Sequence, residues 1–327
     1  MNLNQIKKIT VVGAGIMGHG FATLFAQKGF TVHLQDIDQD LLKKAYVQIA
    51  INLDTFVEEG LISKKQRAEA LKKIITTPDL QEAAGKADFV LEAVPEILEL
   101  KKEVFEKLDR IAPAHAILAS NTSALSITEI ASKTQRPQRT IILHWVNPPH
   151  IIPIVEIVRG EKTSDETAEL SYALMRKLGK KPVRILKEVP GFLFNRLQLA
   201  LYREALHCLE AGVATAEDID LVAKAGYGFR LATLGPLETS DFGGIDTFLR
   251  VCQNLFPHLD ASHEPPLLLK RLVAEGKVGV KTGEGFYRYP SAVIKKKFRE
   301  RDRRLLQQLK LFHAPRRSSK PRKRNMA

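Results

Sequence analysis

The stretch ITVVGAGIMG, residues 9–18, joins a four-residue apolar run to three glycines spaced as GxGxxG. The run Ile9 to Val12 is typical of a buried strand, and helical periodicity follows from about Met17 to Lys28. A strand, a glycine turn and a helix in this order begin a βαβ unit. The segment therefore predicts a parallel sheet with flanking helices at the start of the chain.

Each glycine of this turn has a physical role. Gly13 permits the tight bend, Gly15 lets the backbone approach a pyrophosphate, and Gly18 lets the helix pack closely against the strand. A phosphate is favoured at the positive end of the helix, where Ile16 and Met17 form the first turn. We therefore predict that these five residues contact a dinucleotide.

Asp36 strengthens this prediction because it follows the second strand-like run, Thr31 to Leu34. A carboxylate at that position accepts hydrogen bonds from the ribose hydroxyls of adenosine and repels a 2′-phosphate. The combination favours NAD over NADP. The alternative, a glycine turn with an unrelated surface acid, is less favoured because strand, turn, helix and acid occur in register.

Strand-like runs alternate with helical periodicity through the first half of the chain, as a doubly wound α/β sheet requires. The predicted strands are Ile9–Val12, Thr31–Leu34, Phe89–Ala93, Ala116–Ala119, Ile141–Leu143, Glu156–Val158 and Val183–Ile185. An insertion over residues 39–75 is predicted to form two helices joined by a turn. We expect a Rossmann-type NAD-binding domain over residues 1–188.

Pro190-Gly191 ends the alternation, and only helical patterns follow from Phe192. We therefore predict an all-helical substrate and dimerisation domain over residues 189–290. Cys208 and Cys252 lie in apolar helical patterns without a metal-binding spacing, so we expect core residues and no metal site.

The net charge of +13 is concentrated at the end of the chain. Residues 291–327 contain fourteen Lys or Arg and two acids, which accounts for twelve of those charges. The pattern of Val293 to Phe312 indicates a helix, whereas Ala314 to Ala327 is predicted to be disordered. A basic run without interleaved aromatics favours a solvated extension over a nucleic-acid site, so we expect no nucleic-acid partner.

No apolar run approaches the length of about 18 residues that a membrane helix needs, and no signal peptide is apparent at Met1. We therefore expect a cytoplasmic protein without a membrane partner.

A histidine at the carboxyl end of a predicted strand is the main candidate for chemistry. His144 follows the run Ile141 to Leu143, and Glu156 lies in an apolar run twelve residues later. Such a histidine is often only a satisfied core residue. However, alcohol oxidation needs a base that titrates near neutral pH, and a neighbouring carboxylate orients an imidazole and stabilises its protonated form. The position at the cofactor's edge of the sheet favours the catalytic interpretation.

Several motifs together resemble the 3-hydroxyacyl-CoA dehydrogenase family over about residues 5–290. They are, in order, Gly13 to Gly18, Glu92-Ala93-Val94-Pro95-Glu96, Ser120-Asn121-Thr122-Ser123, His144 with Asn147-Pro148, Glu156, Pro190-Gly191-Phe192 with Asn195-Arg196, and Lys281 to Tyr287. The resemblance implies that His144 and Glu156 form the catalytic pair. It also implies that Ser123 and Asn195 hydrogen-bond the substrate oxygen or the histidine.

The same resemblance bears on the cofactor and the partners. It implies that Glu96 and Lys101 contact the nicotinamide end of NAD, and Asn121 is likewise assigned to the cofactor. It further implies a homodimer formed by the helical domain, and an insertion, residues 39–75, that helps to hold coenzyme A. The implied reaction is oxidation of a 3-hydroxyacyl-CoA.

The chain departs from the family pattern at Pro148-Pro149-His150, where a single proline is usual. Similar sequences occur in relatives that act on free carboxylic acids, such as a pyridine-carboxylate dehydrogenase of vitamin B6 breakdown and the L-carnitine and L-gulonate dehydrogenases. Arg230 is a candidate to meet a substrate carboxylate or an acid of a neighbouring subunit. A small hydroxy carboxylate is therefore the alternative substrate, and a non-catalytic dinucleotide-binding protein is a third, weaker hypothesis.

Overall fold

An eight-stranded sheet forms the centre of the N-terminal half of the protein. The computed structural model describes residues 1–313. The strands are β1 Lys8–Val12, β2 Thr31–Gln35, β3 Ile74–Thr77, β4 Phe89–Glu92, β5 Ile117–Ser120, β6 Thr140–Trp145, β7 Ile154–Val158 and β8 Lys181–Ile185. Their order across the sheet is β3-β2-β1-β4-β5-β6-β7-β8, and β6 and β7 are antiparallel whereas the other neighbours are parallel. This confirms the predicted Rossmann-type, doubly wound α/β fold.

Helices cover both faces of this sheet. They are α1 Ile16–Gln27, α2 Gln39–Glu58, α3 Lys64–Lys72, α4 Leu80–Ala84, α5 Leu98–Ile111, α6 Ile127–Ile130 and α7 Asp165–Lys177. The sequence sets several of their starts through capping side chains. Asp38 accepts hydrogen bonds from the backbone at the start of α2, and Ser63 forms a capping box with Gln66 at the start of α3.

The predicted insertion over residues 39–75 is confirmed as two helices, but its end was predicted wrongly. Ile74–Thr77 forms β3, an edge strand that pairs in parallel with β2 through Val32 opposite Ile74. The position of Ile74 fits a helical spacing from Leu71 as well as a strand. Four consecutive β-branched residues, together with the free edge of β2, decide for the strand.

Strand β6 divides its side chains between two separate cores, because successive side chains of a strand point to opposite faces. Leu143 and Trp145 pack with α1 on one face. Ile142 packs on the other face in a cluster that includes Phe192, and the ring of His144 also lies against Phe192. The catalytic candidate and the neighbouring tryptophan therefore face opposite sides of the sheet.

Between Phe192 and residue 290 the regular secondary structure is helical, as predicted. Its helices are α8 Phe194–Glu210, α9 Ala216–Val222, α10 Gly228–Leu231, α11 Pro236–Gly243, α12 Ile245–Leu255 and α13 Leu267–Ala274. Of residues 193–290, only Leu206 and Thr239 are buried. The prediction that Cys208 and Cys252 are core residues is wrong for the single chain, since both are half-buried. Their helices are amphipathic, but the residues that the structure describes leave the apolar faces uncovered.

A last helix, α14 Ser291–His313, returns to the N-terminal half. Its Leu306 is fully buried in a small core with Phe56 and Ile151, while Arg303 and Lys310 form ion pairs of 3.1 and 3.0 Å with Glu59. The helix predicted over residues 293–312 is confirmed, but it is packed and not a solvated extension. Contacts with residues about 250 positions away cannot be predicted from local spacing.

The predicted disorder of residues 314–327 lies outside the described residues. Among the helices of residues 1–313, none combines the length and the apolar character needed to cross a membrane.

Candidate active site

The glycine turn after β1 has the shape that a pyrophosphate needs. A Cβ on Gly13 would lie 2.6 Å from the carbonyl oxygen of Ala93, and one on Gly18 would lie 1.8 Å from that of Gly13. These two glycines are therefore required by close packing. A Cβ on Gly15 would meet nothing within 4 Å, so open space remains at the N-terminus of α1. Phosphate oxygens favour such a helix end.

The remaining predicted cofactor residues of the first βαβ unit lie around the same turn. Ile16 is exposed and Met17 half-buried in the first turn of α1. Asp36 follows β2, and its Oδ2 accepts a hydrogen bond of 2.8 Å from the backbone N–H of Ala14. A cleft of ≈ 510 Å³ lies between the start of α2 and the end of β3, lined by residues such as Tyr46. These features fit the adenosine half of NAD.

A buried ion pair lies at the end of β4, on the same edge of the sheet. Lys101 Nζ donates a 2.7 Å hydrogen bond to Glu92 Oε1, and Ser120 Oγ donates a 2.6 Å hydrogen bond to Glu92 Oε2. Glu92 is 0 % exposed, so its carboxylate is fully enclosed by the protein. Burial raises the pKa of Glu92, and the Lys101 ammonium opposes that rise.

Glu92 is thus a site residue that the sequence reasoning did not assign. The available signal was an acid within the otherwise apolar strand Phe89–Glu92, with a lysine nine residues later at the start of α5. A charged residue in a buried strand requires a partner.

Glu96 joins the loop after β4 to the loop after β5. Its carboxylate accepts hydrogen bonds from Thr122 Oγ1 at 2.5 Å and from the backbone N–H groups of Ser123 and Ala124 at 2.8 and 3.1 Å. Its other oxygen lies 3.4 Å from Lys101 Nζ. Burial raises the pKa of Glu96, but the hydrogen bonds outweigh burial, so the pKa lies below its usual value. Glu96 therefore fixes the backbone that carries Ser123.

His144 and Glu156 are cross-strand partners in the antiparallel pair of β6 and β7. His144 Nδ1 lies 2.7 Å from Glu156 Oε2, and the two residues are 3 % and 2 % exposed. The other oxygen, Glu156 Oε1, accepts hydrogen bonds from the backbone N–H groups of Leu193 and Phe194 at 2.9 and 2.8 Å. The backbone just after Phe192 therefore fixes the position of the Glu156 carboxylate. This carboxylate in turn fixes the position of the His144 imidazole.

A tight turn brings aromatic rings to this histidine. Gly191 and Phe192 both have positive φ, of 77° and 49°. The second value is uncommon for a residue with a bulky side chain. The ring centroids of Phe192 and Phe194 lie 5.3 and 6.4 Å from that of His144. The turn thus surrounds the imidazole with apolar groups while its Nδ1 keeps the bond to Glu156.

Two further predicted residues are brought together beside this pair. Asn195, in the first turn of α8, donates a 3.3 Å hydrogen bond from Nδ2 to the carbonyl oxygen of Ser123. Asn121 joins the ends of β5 and β6, since its Oδ1 accepts a 3.0 Å hydrogen bond from the backbone N–H of Trp145. The loop after β5 and the start of α8 therefore meet at the site.

Two residues considered for substrate recognition lie differently. His150 is buried against α1, where a Cβ on Gly20 would lie 3.0 Å from its Nδ1. Arg230 is exposed in α10 and forms no ion pair within residues 1–313. Neither contacts the His144–Glu156 pair.

Hydride transfer is the chemistry that needs both a dinucleotide and a base at one edge of a sheet. The fold and the site therefore define an NAD-dependent oxidoreductase. The NAD-binding domain of 3-hydroxyacyl-CoA dehydrogenases matches residues 8–189, and the C-terminal domain of the same enzymes matches residues 191–289. The chain belongs to the 3-hydroxyacyl-CoA dehydrogenase family, and its cofactor is NAD.

Relatives of two kinds are among the proteins that this chain resembles. A probable 3-hydroxybutyryl-CoA dehydrogenase of Bacillus subtilis is 41 % identical over 286 residues, which cover 87 % of this chain and 98 % of that protein. A 5-formyl-3-hydroxy-2-methylpyridine 4-carboxylate 5-dehydrogenase of Mesorhizobium japonicum is 33 % identical over 305 residues, which cover 92 % of this chain and 97 % of that protein.

A crystal structure of a 5-formyl-3-hydroxy-2-methylpyridine 4-carboxylic acid 5-dehydrogenase, described as an NAD⁺-dependent dismutase, is also similar. It superposes with a TM-score of 0.88 at 32 % identity, covering 95 % of this chain and 99 % of that chain. The family's C-terminal domain ends at residue 289, before α14. The pyridine-carboxylate enzymes match 92 % and 95 % of this chain, whereas the Bacillus relative matches 87 %.

Proposed function

We propose that the enzyme oxidises the secondary alcohol of a (3S)-3-hydroxyacyl-CoA to the 3-oxoacyl-CoA, with His144 as the base. The observation that carries this proposal is the 2.7 Å contact between the buried His144 Nδ1 and Glu156. Because Nδ1 is held by the carboxylate, Nε2 is the nitrogen that accepts a proton. NAD, when bound, accepts the hydride from the alcohol carbon.

Side chains of the protein accept and return the hydroxyl proton of the substrate. His144 Nε2 takes the hydroxyl proton during oxidation and returns it during reduction. The Glu156 carboxylate compensates the positive charge that forms on the imidazole, and its own position is fixed by two backbone N–H groups. Ser123 and Asn195 hydrogen-bond the substrate oxygen, which orients the alcohol towards His144.

The insertion after β2 supports the proposal that the substrate contains coenzyme A. Helices α2 and α3 are both present, and α3 begins with Lys64 and Lys65. Both lysines are exposed, and no carboxylate in the part of the chain that the structure describes pairs with them. Free ammonium groups on a surface helix suit the phosphates of coenzyme A. The 41 % identity to a relative named for 3-hydroxybutyryl-CoA points the same way.

A small hydroxy carboxylate is the second candidate substrate. It is favoured by the TM-score of 0.88 to a pyridine-carboxylate dehydrogenase, whose match extends over 95 % of this chain. The Pro148-Pro149-His150 segment supports the same alternative. For a hydroxy carboxylate with a secondary alcohol, His144 would take the same hydroxyl proton, so that the two candidates differ in how the rest of the substrate is recognised.

The deciding experiment is NADH oxidation by the purified full chain. We expect turnover of acetoacetyl-CoA, with acetoacetate as the matched free acid and a panel of aromatic and aliphatic keto acids in parallel. The His144→Gln protein, prepared identically, measures any contaminating activity. Turnover of a free acid with none of the thioester would contradict the coenzyme A proposal and support the second candidate.

We also propose that the enzyme is a homodimer formed through the helical half. Three apolar side chains of these helices are each about 80 % exposed, namely those of Phe229, Leu237 and Phe242. The helices that carry them contain few buried residues. An apolar surface of this extent indicates a protein interface. Light scattering should give twice the chain mass of 36.6 kDa. A particle of the single-chain mass would contradict the proposal.

A further inference from the structure

A second cavity, of ≈ 320 Å³, lies between α14 and the N-terminal half. It lies on the face of β6 that carries Trp145, because Lys180, which lines the cavity, stands over the Trp145 ring at 5.3 Å. His144 points to the opposite face of the sheet. The cavity is therefore separate from the candidate active site.

Lys180 is a buried lysine that has no countercharge among residues 1–313. It is 6 % exposed, and its Nζ donates 2.7 Å hydrogen bonds to the carbonyl oxygens of Pro149 and Ile152. An ammonium has three N–H donors, so one remains unused. No carboxylate within residues 1–313 forms an ion pair with it. Burial, with a smaller contribution from Lys28, lowers the pKa of Lys180 to about 7.

His150 is a second buried polar group on the same wall. It is 5 % exposed, its Nδ1 has no hydrogen-bond partner among the described residues, and its ring lies 6.1 Å from that of Phe56. Lys28 and His313 also line the cavity. Unpaired polar groups of this kind are costly unless a ligand satisfies them.

The rest of the wall is apolar and comes from distant parts of the chain. Leu24 lies on α1, Phe56 lies at the end of α2, and Leu61 lies just after α2. Leu178 lies just after α7, and Leu309 lies on α14. The cavity thus combines a cationic end with an apolar surface. Its volume is at the lower end of the range for small-molecule sites.

We propose that this cavity binds a small organic carboxylate with an apolar body. The carboxylate receives the unused N–H of Lys180, and the body packs against Leu24, Phe56 and Leu309. A carboxylate there compensates the buried charge, while the apolar part removes hydrocarbon surface from water. Inorganic phosphate would use the cation but not the apolar wall. The inference does not depend on the proposed substrate.

Trp145 allows a direct test, because it is the only tryptophan of the chain and lies beside Lys180. Octanoate is titrated into the full-length protein without cofactor, and binding is followed by tryptophan fluorescence and by calorimetry. We expect saturable binding at one site per chain. Lys180→Met should weaken octanoate at least about tenfold, as loss of a charge-assisted hydrogen bond predicts. The matched control Lys181→Met, at an exposed neighbouring position, should bind as the wild type does.

Two further measurements test the proposal even if the Lys180→Met protein does not fold. Leu309→Phe fills the apolar end without touching the ammonium, and calorimetry should then show weaker octanoate binding. Phosphate should bind the wild type at least about tenfold more weakly than octanoate, since it buries no hydrocarbon. No saturable binding of octanoate, equal binding by Lys180→Met, or phosphate binding as tight as octanoate binding would each overturn the proposal.

Discussion

His144→Gln is expected to lower kcat by about 10²- to 10⁴-fold, because the variant lacks the group that we propose as the base for the hydroxyl proton. Glutamine can still hydrogen-bond Glu156 but cannot take up a proton. The glycine turn and Asp36 lie elsewhere on the sheet edge, so NADH binding should stay near the wild-type value. Initial rates with the substrate found in the panel measure the first effect, and NADH fluorescence titration measures the second.

A suitable control is His263→Gln, since this histidine is exposed in a loop. Its kcat should equal that of the wild type. A His144→Gln protein that retains the wild-type kcat would exclude His144 as the base. A variant that loses NADH binding to the same extent as turnover would show that the histidine supports the cofactor site instead.

Glu156→Gln is expected to have an effect of similar size, about 10²- to 10⁴-fold on kcat. The carboxylate can only accept a hydrogen bond, so a neutral His144 imidazole facing it carries its proton on Nδ1 and leaves Nε2 without one. A glutamine amide can donate to Nδ1 instead, and the imidazole then carries its proton on Nε2 and cannot act as a base. The lost negative charge also destabilises the imidazolium that forms during oxidation.

The ring nitrogen of His144 that carries the proton can be measured directly. A purely structural role of Glu156 would not change which nitrogen this is. Nitrogen-15 NMR of the histidines should show the proton of His144 moving from Nδ1 to Nε2 in the variant, while circular dichroism shows a folded protein. Glu161→Gln, an exposed glutamate shortly after β7, is the matched control and should leave kcat and the tautomer unchanged. Wild-type turnover in Glu156→Gln would contradict the pairing mechanism.

Local patterns along the chain were sufficient to predict seven of the eight strands and the positions of the main site residues. The glycine turn of residues 13–18 and Asp36 could be predicted because a strand, a turn and a helix each have a short-range signature. His144 was recognised for the same reason, as a titratable residue at the end of an apolar strand. The assigned roles of these residues, and the domain boundary near residue 189, remain predictions.

The details of the site depended on residues that are distant in sequence. The antiparallel turn between β6 and β7 puts Glu156 opposite His144, and the start of α8 supplies the N–H groups that hold its second oxygen. Glu92 is enclosed by the neighbouring strands and by Lys101, and its partner could not be assigned from the sequence. Burial is a property of the assembled layers and cannot be predicted from a few adjacent residues.

The sequence by itself determined the class of fold and the NAD cofactor, and it predicted the histidine chemistry, since these depend on residue types at short and regular spacings. Only the tertiary structure decided that Ile74–Thr77 is an edge strand and that α14 packs on α2 through Leu306. It also decided that Lys180 is buried and that no carboxylate of residues 1–313 forms an ion pair with it. The physical reason is that strand pairing, burial and the loss of hydration depend on which distant segments meet.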